Sequence, residues 1–320
     1  MNSLTTTAGR SNAWPAAGYL RRMYGYVHEM FPLSGHLSIA LLSGLAIAGF
    51  TAKVQGLSFL LLPASVASAT WNIFAVLFTL RLMDELKDKD IDRQLFPDRP
   101  LPSGRVLESD IRLSLLAVTM LYLLSNMRSV PVVASAIVVF GYTLLMFKRF
   151  FAPTLLRKSL LITLMTHTPI VPLIWIQAFI TVTQMENVSL ASVKWNAIAM
   201  FVAMEWLAMI GWEVSRKIRS AEEETEYVTY SQIFGSIGAV LVVWTAQSVS
   251  AAIGVYFYYT YQLNLAYLIL LVAGWITCCG GYARFVMRPS PRTSKLRSYG
   301  AVFVFAISSA QVFGFTLSLL

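Results

Sequence analysis

Asp84, Asp88 and Asp92 stand four residues apart where a long apolar stretch gives way to charge, in FTLRLMDELKDKDIDRQLFPDRPLPSGRV. On a helix, positions i, i+4 and i+8 share a side, so the spacing predicts three carboxylates ~6 Å apart along the axis. Like charges at that spacing repel. A hard divalent cation relieves the conflict, because Mg²⁺ takes carboxylate oxygens and completes its shell with water and substrate phosphates. The chemistry suggested is metal-assisted handling of a phosphorylated substrate. Arg99 and Arg105 follow and suit phosphate oxygens, while Pro100, Pro102 and Gly104 turn the chain back. The competing account is a charged helix end among lipid headgroups, with Lys87, Lys89 and Arg93 offsetting the acids.

The elements that must hold this ladder are membrane helices. The 320 residues are 57% hydrophobic and 13% charged, with a mean hydropathy of +0.63. Soluble domains carry roughly a quarter charged residues, so the composition selects lipid as the solvent. The net charge of +9 is broken up by apolar runs, which excludes a continuous nucleic-acid patch and fits a lipid surface instead. Cys278 and Cys279 are adjacent in an apolar run and form no disulfide framework. Residues 1–31 lack a signal-peptide pattern. The stretch WPAAGYLRRMYGYVHEM reads as an amphipathic interfacial segment with aromatics beside Arg21 and Arg22.

Taking about 20 apolar residues per span, residues 32–320 form one membrane domain. Its nine predicted spans lie near 33–52, 57–82, 111–126, 129–147, 160–183, 193–213, 233–257, 262–283 and 299–319. Of the 25 Lys and Arg residues, all but Lys53, Arg128 and Lys194 then fall on the N-terminal side of the membrane. The positive-inside rule makes that side cytoplasmic. Of the 16 acidic residues, all but Glu29, Glu186 and Glu205 lie at the ends of the second and sixth spans or in the loops after them. This predicts an all-α, polytopic bundle with a cytoplasmic polar cap over an apolar centre. The setting is an integral membrane protein of the bacterial cytoplasmic (inner) membrane.

The stretch 84–104 resembles the first aspartate-rich motif of the UbiA superfamily of intramembrane prenyltransferases, N-x3-D-x3-D followed by RPLPSG. Asp84 stands where the family usually has Asn, Asp88 and Asp92 match, and RPLPSG is intact at 99–104. The resemblance implies that two acidic motifs bind Mg²⁺ and the diphosphate of an isoprenoid substrate whose tail lies in a lateral cavity. Relatives carry D-x3-D after the sixth span; this chain has WEVSRKIRSAEEETEYVTYSQIFG. Glu213 takes the first place, and counting back from YSQIFG brings Glu222 nearest the second, with Glu223, Glu224 and Glu226 as neighbours. The resemblance thus implies Asp84, Asp88, Asp92, Glu213 and Glu222 as metal ligands. Arg99, Arg216, Lys217 and Arg219 would meet the diphosphate, Lys217 acting on the leaving group. The plain alternative for the second stretch is a solvated acidic cap.

Other residues are weighed on their own. Glu205, eight residues before Glu213, is an intramembrane carboxylate and so a catalytic candidate, or else a protonated acid bonded to a neighbouring carbonyl. His28 stands where relatives often have an Arg four residues before a proline. Tyr142 with Lys148 and Arg149 is similar to a tyrosine–basic pair after the fourth span, which makes Lys148 a diphosphate candidate. His167 reads as a satisfied interhelical histidine, and Asn72 as a cavity-lining residue. Trp71, Phe74, Phe78, Trp175 and Trp206 offer ring faces to a carbocation.

No Walker A, H-E-x-x-H, G-x-S-x-G or C-x-x-C pattern is present. The expected activity is Mg²⁺-dependent ionisation of an isoprenoid diphosphate and transfer of the prenyl group to an aromatic or lipid acceptor. A membrane terpene cyclase capturing the same cation internally is the alternative. A cation-coupled transporter or lipid-binding protein is a second, which the clustering of acids at one face disfavours.

Overall fold

In a bilayer every backbone donor and acceptor must be satisfied within the segment, and the apolar runs accordingly fold as helices. The computed structural model describes residues 16–58, 63–225 and 228–319. No strand occurs among them. Trp14, Pro15 and Glu226 lie outside the described residues.

Twelve α-helices follow in chain order: α1 Ala16–Met30, α2 Leu33–Gln55, α3 Pro63–Leu95, α4 Glu108–Ser125, α5 Val130–Phe147, α6 Pro153–Lys158, α7 Leu160–His167, α8 Ile170–Met185, α9 Trp195–Ser215, α10 Tyr230–Tyr261, α11 Leu265–Met287 and α12 Leu296–Gln311. The short α7 and α8 make one apolar segment, Leu160–Met185, interrupted at Pro169, which has no N–H to give the ladder. A π-helical turn, Val312–Thr316, extends α12.

Among the described residues, eight segments are long and apolar enough to cross a membrane. The expected third span corresponds to α4. Its first turn carries Glu108, Asp110 and Arg112, which keeps it out of that set by composition, so the nine-span expectation rests on α4.

At 1.5 Å per residue the 33 residues of α3 extend ~50 Å, more than the ~30 Å of hydrocarbon. Its charged C-terminal turns therefore project beyond the apolar slab. A left-handed Gly104 (φ +76°) helps return the chain to α4. Between these elements α3 packs against α2, α4, α5 and α8, and α9 packs against α8, α10 and α12. Small residues permit the close crossings. A Cβ on Gly274 of α11 would collide with the Ala306 Cβ of α12, and one on Gly44 of α2 with Thr70 of α3.

Away from the charged end, Phe50 of α2 is the hub of a dry aromatic cluster. Its ring centroid lies 4.8 Å from Phe201, 5.0 Å from Phe315, 5.6 Å from Phe257 and 5.7 Å from Phe179. All five rings are fully buried. One side chain thereby ties α2, α8, α9, α10 and the turn after α12 together.

Candidate active site at the acidic helix ends

Residues 84–95 continue α3 as regular helix, so the aspartate ladder is helical as the spacing predicts. Four residues advance the helix by about 400°, so each step of the ladder turns about 40° further. The three carboxylates consequently do not share one environment. Asp84 bonds Lys87 of its own helix at 2.6 Å. Asp88 receives Arg149 Nη2 at 2.9 Å from the turn after α5. Asp92, nearly buried, is held by Arg99 at 2.8 Å from its own loop. The repulsion within the ladder is thus relieved by three cations, each from a different direction.

Arg149 arrives through an unusual backbone. Arg149, Phe150 and Phe151 have φ of 50°, 51° and 55°, a left-handed turn that costs non-glycine residues roughly 1–2 kcal/mol each. The turn aims Arg149 at Asp88 and sets Phe150 against Tyr142 (5.6 Å) and His167 (5.9 Å). The predicted Lys148 is exposed and lies over the Phe147 ring, so the basic residue brought to the ladder is its neighbour Arg149.

His167, at the end of α7, links the two acidic stretches. Its Nδ1 lies 3.0 Å from the Thr163 carbonyl oxygen, which can only accept, so Nδ1 carries the proton and Nε2 the lone pair. The ring is within electrostatic range of Asp84 and Lys87 on α3 and of Glu213 on α9. His167 is thus one group whose electrostatic surroundings include both acidic stretches.

The rest of the second stretch behaves differently. Glu213 binds Arg216 Nε at 2.6 Å and Nη2 at 2.8 Å, and Lys217 Nζ stands 4.0 Å away. Arg219 turns back onto the carbonyls of Arg216 and Ile218. Glu223 caps the short turn at Ser220, accepting from its N–H at 3.1 Å and its hydroxyl at 2.8 Å. Burial pushes its carboxyl up, but hydrogen bonds from Ser294 and Ser220 and the charge of Arg219 hold it below the usual range. Glu224 accepts from the Thr229 hydroxyl at 2.7 Å, closing the entry to α10. Glu222 is exposed and forms no hydrogen bond or ion pair with the ladder among the described residues. No three His, Cys, Asp or Glu side chains among those residues converge on a single metal position.

Three further placements differ from what spacing suggests. Glu205 is buried beside Gln311 of α12 and Tyr267 of α11, because eight residues rotate it about 80° from Glu213. Asn72 does not face a cavity. It pairs reciprocally with Asn126 at 3.1 and 2.8 Å and donates to Thr181, in a buried network joining α3 to α8 and the end of α4. Arg105, expected at phosphate, is bonded to Glu29 of α1 at 2.6 and 3.0 Å. His28 is exposed beside Tyr24.

Sequence reasoning passed over the Arg81–Glu85 ion pair at the start of the ladder, in which Glu85 is buried and Arg81 half-buried. Tyr26 of α1 covers it, within range of both residues and of Asp84. The signal was present: an arginine inside an apolar run with an acid four residues on is a charge pair at helical spacing.

No family model matches the chain, and no curated protein does. Two solved structures share the fold. An apo UbiA homolog from Aeropyrum pernix K1 aligns with a TM-score of 0.63 at 15% identity, over 88% of this chain and 98% of that one. A digeranylgeranylglyceryl phosphate synthase aligns with a TM-score of 0.60 at 15% identity, over 92% and 98%. The chain therefore has the UbiA-type all-α fold and is an integral multi-pass membrane protein.

Proposed function

We propose that this protein is a UbiA-type intramembrane prenyltransferase that ionises an isoprenoid diphosphate and passes the prenyl group to an aromatic or lipid acceptor. The observation that carries the reading is the helical ladder at the end of α3, where Asp84, Asp88 and Asp92 each meet a cation from a different segment. The fold likeness supports it. The distribution of Lys and Arg supports a cytoplasmic side for this region and the N-terminus, in a bacterial inner membrane on this reading.

The donors fit magnesium in a particular way. They are hard carboxylate oxygens, and Mg²⁺ is commonly held by one or two carboxylates plus substrate phosphates rather than by a closed protein cage. One or two carboxylates drawn from Asp84, Asp88, Asp92 and Glu213 would hold each ion together with substrate phosphates, with Glu222 standing apart on its exposed turn. Bound there, magnesium would supply neutralisation of the diphosphate charge.

The chain's own groups do the rest. Arg149 and Arg99 now neutralise Asp88 and Asp92, and they are the cations able to turn to diphosphate oxygens as negative charge builds on the leaving group. Lys217, beside Glu213, would serve the same charge from the turn after α9. Apolar side chains of α3 such as Phe74 and Phe78 would exclude water from the allylic cation.

The test is diphosphate release by purified protein with Mg²⁺ and prenyl diphosphates of several lengths. Asp88→Asn is expected to lower turnover by about 10²–10³-fold while the protein elutes as a folded species. Near-normal release by that variant overturns the assignment. Release that needs no acceptor, with a hydrocarbon or terpene alcohol formed, replaces transfer with cyclisation.

A further inference from the structure

The outer side of α1 carries a feature that the reaction does not use. Tyr19, Arg22, Tyr26 and Glu29 recur at helical spacing and face the protein. Tyr19 bonds Ser114 at 2.8 Å, Arg22 bonds Asp110 at 2.6 and 2.7 Å, and Glu29 bonds Arg105. The opposite side leaves Leu20 65% and Tyr24 75% exposed. After α1, α2 exposes Leu33, Leu37 and Leu41 at four-residue intervals, the lipid-facing row of a spanning helix. The two rows set α1 at the boundary between hydrocarbon and water.

At that boundary a cavity of about 380 Å³ opens between α1 and the turn at residues 100–106. Arg21, Arg22, Gly25 and Tyr26 line it from α1, Pro100 and Arg105 from the turn. Asp110 and Glu29 grip Arg22 and Arg105 and hold their guanidinium groups at the wall. Arg21 is exposed and has no hydrogen bond or ion pair among the described residues. Three guanidinium groups against two carboxylates leave one positive charge uncompensated. Gly25 keeps the space open, since a Cβ there would meet nothing within 4 Å. A smaller cavity of about 240 Å³ across the same turn is balanced differently, its Lys89 paired with Glu108 at 3.1 Å and its Arg93 with Asp90 at 3.8 Å.

We propose that the cavity between α1 and the turn at 100–106 binds the phosphate headgroup of an anionic phospholipid from the surrounding leaflet, anchoring α1 to the bilayer. A planar guanidinium matches phosphate oxygens, and a basic pocket at the interface beside exposed apolar side chains receives the headgroup and acyl region of one lipid together. None of the residues lining the cavity is a proposed diphosphate ligand, although Tyr26 is within range of Asp84 and Pro100 adjoins Arg99. The lipid site does not depend on which reaction the protein performs.

The experiment compares the full chain in phosphatidylcholine nanodiscs with and without phosphatidylglycerol, following the apparent unfolding temperature. Phosphatidylglycerol is expected to raise it by about 2–4 °C. Arg21→Ala removes the uncompensated charge, and Gly25→Leu fills the cavity with a better helix former. Both should lose that increment while keeping the baseline midpoint. Arg292→Ala takes one exposed charge from the loop after α11 and should keep the increment. The proposal falls if Arg21→Ala and Gly25→Leu respond to phosphatidylglycerol as the parent does, or if Arg292→Ala loses the response equally. It also falls if inorganic phosphate or glycerol phosphate, added to phosphatidylcholine nanodiscs, gives the same rise. In that case the pocket takes free phosphate and not a lipid.

Discussion

The two acidic helix ends hold comparable numbers of carboxylates and use them in opposite ways. At the end of α3 the helix continues through the acids, and Asp84, Asp88 and Asp92 each meet a cation from a different segment. At the end of α9 the helix stops two residues after Glu213, and the acids beyond it close the loop. Glu223 caps Ser220 and Glu224 holds Thr229. A carboxylate whose partner is a mobile guanidinium or ammonium can exchange that partner for a ligand. One that completes a backbone cap cannot do so without opening the turn. Acid count therefore says little about chemistry until each acid's partner is known.

The sharpest way to break this contrast is to neutralise one acid at each end. Asp88→Asn is expected to lose most activity, and Glu213→Gln to lose activity substantially, whereas Glu222→Gln should stay within about 3-fold of the parent in diphosphate release. A Glu222→Gln enzyme as damaged as Asp88→Asn would bring the exposed turn into the site and erase the distinction. Arg149→Ala comes next in size. It frees Asp88 and removes a phosphate cation, so KM for the prenyl diphosphate should rise about 10-fold, the value of one charge-assisted hydrogen bond at the lower end of its range. An unchanged KM would confine Arg149 to a structural role.

A smaller effect is expected from Glu223→Ala, which removes a cap worth roughly 1 kcal/mol. The midpoint of thermal unfolding should fall by a few degrees while turnover per folded molecule is kept. A selective loss of turnover with an unmoved midpoint would reverse the assignment of Glu223. The smallest effect is on pH. Because the Glu223 carboxyl is held below its ordinary value near 4.5, its contribution to stability is complete above that value and is lost as pH falls through the lowered one. Between about pH 6 and pH 3 the parent should lose more stability than Glu223→Gln, measured by thermal unfolding in detergent. Equal losses would show that the cap does not titrate.

Much of the fold was legible because the signals are local. Apolar length marks the spans, and the four-residue spacing marks the ladder as helical, as α3 proves to be. Arg81 and Glu85 were legible by the same rule and were passed over, their charge lost in the density of acids that follows. Spacing along one helix says nothing of the partners of Asn72 and Glu205, since Asn126, Thr181, Gln311 and Tyr267 come from helices far away in sequence. Lys148 and Arg149 are adjacent, and only the left-handed turn decides which one reaches Asp88.

By itself the sequence determined that the chain suits lipid and that a helical row of carboxylates follows its second apolar run, since hydrophobicity and helical period act over a few turns. The tertiary structure alone decided which cation meets which carboxylate, that His167 comes within electrostatic range of both α3 and α9, and that α1 leaves an arginine-lined cavity beside the turn at 100–106. Those outcomes depend on packing angles between helices, and a rotation of some tens of degrees there changes every polar partner without altering the apolar pattern.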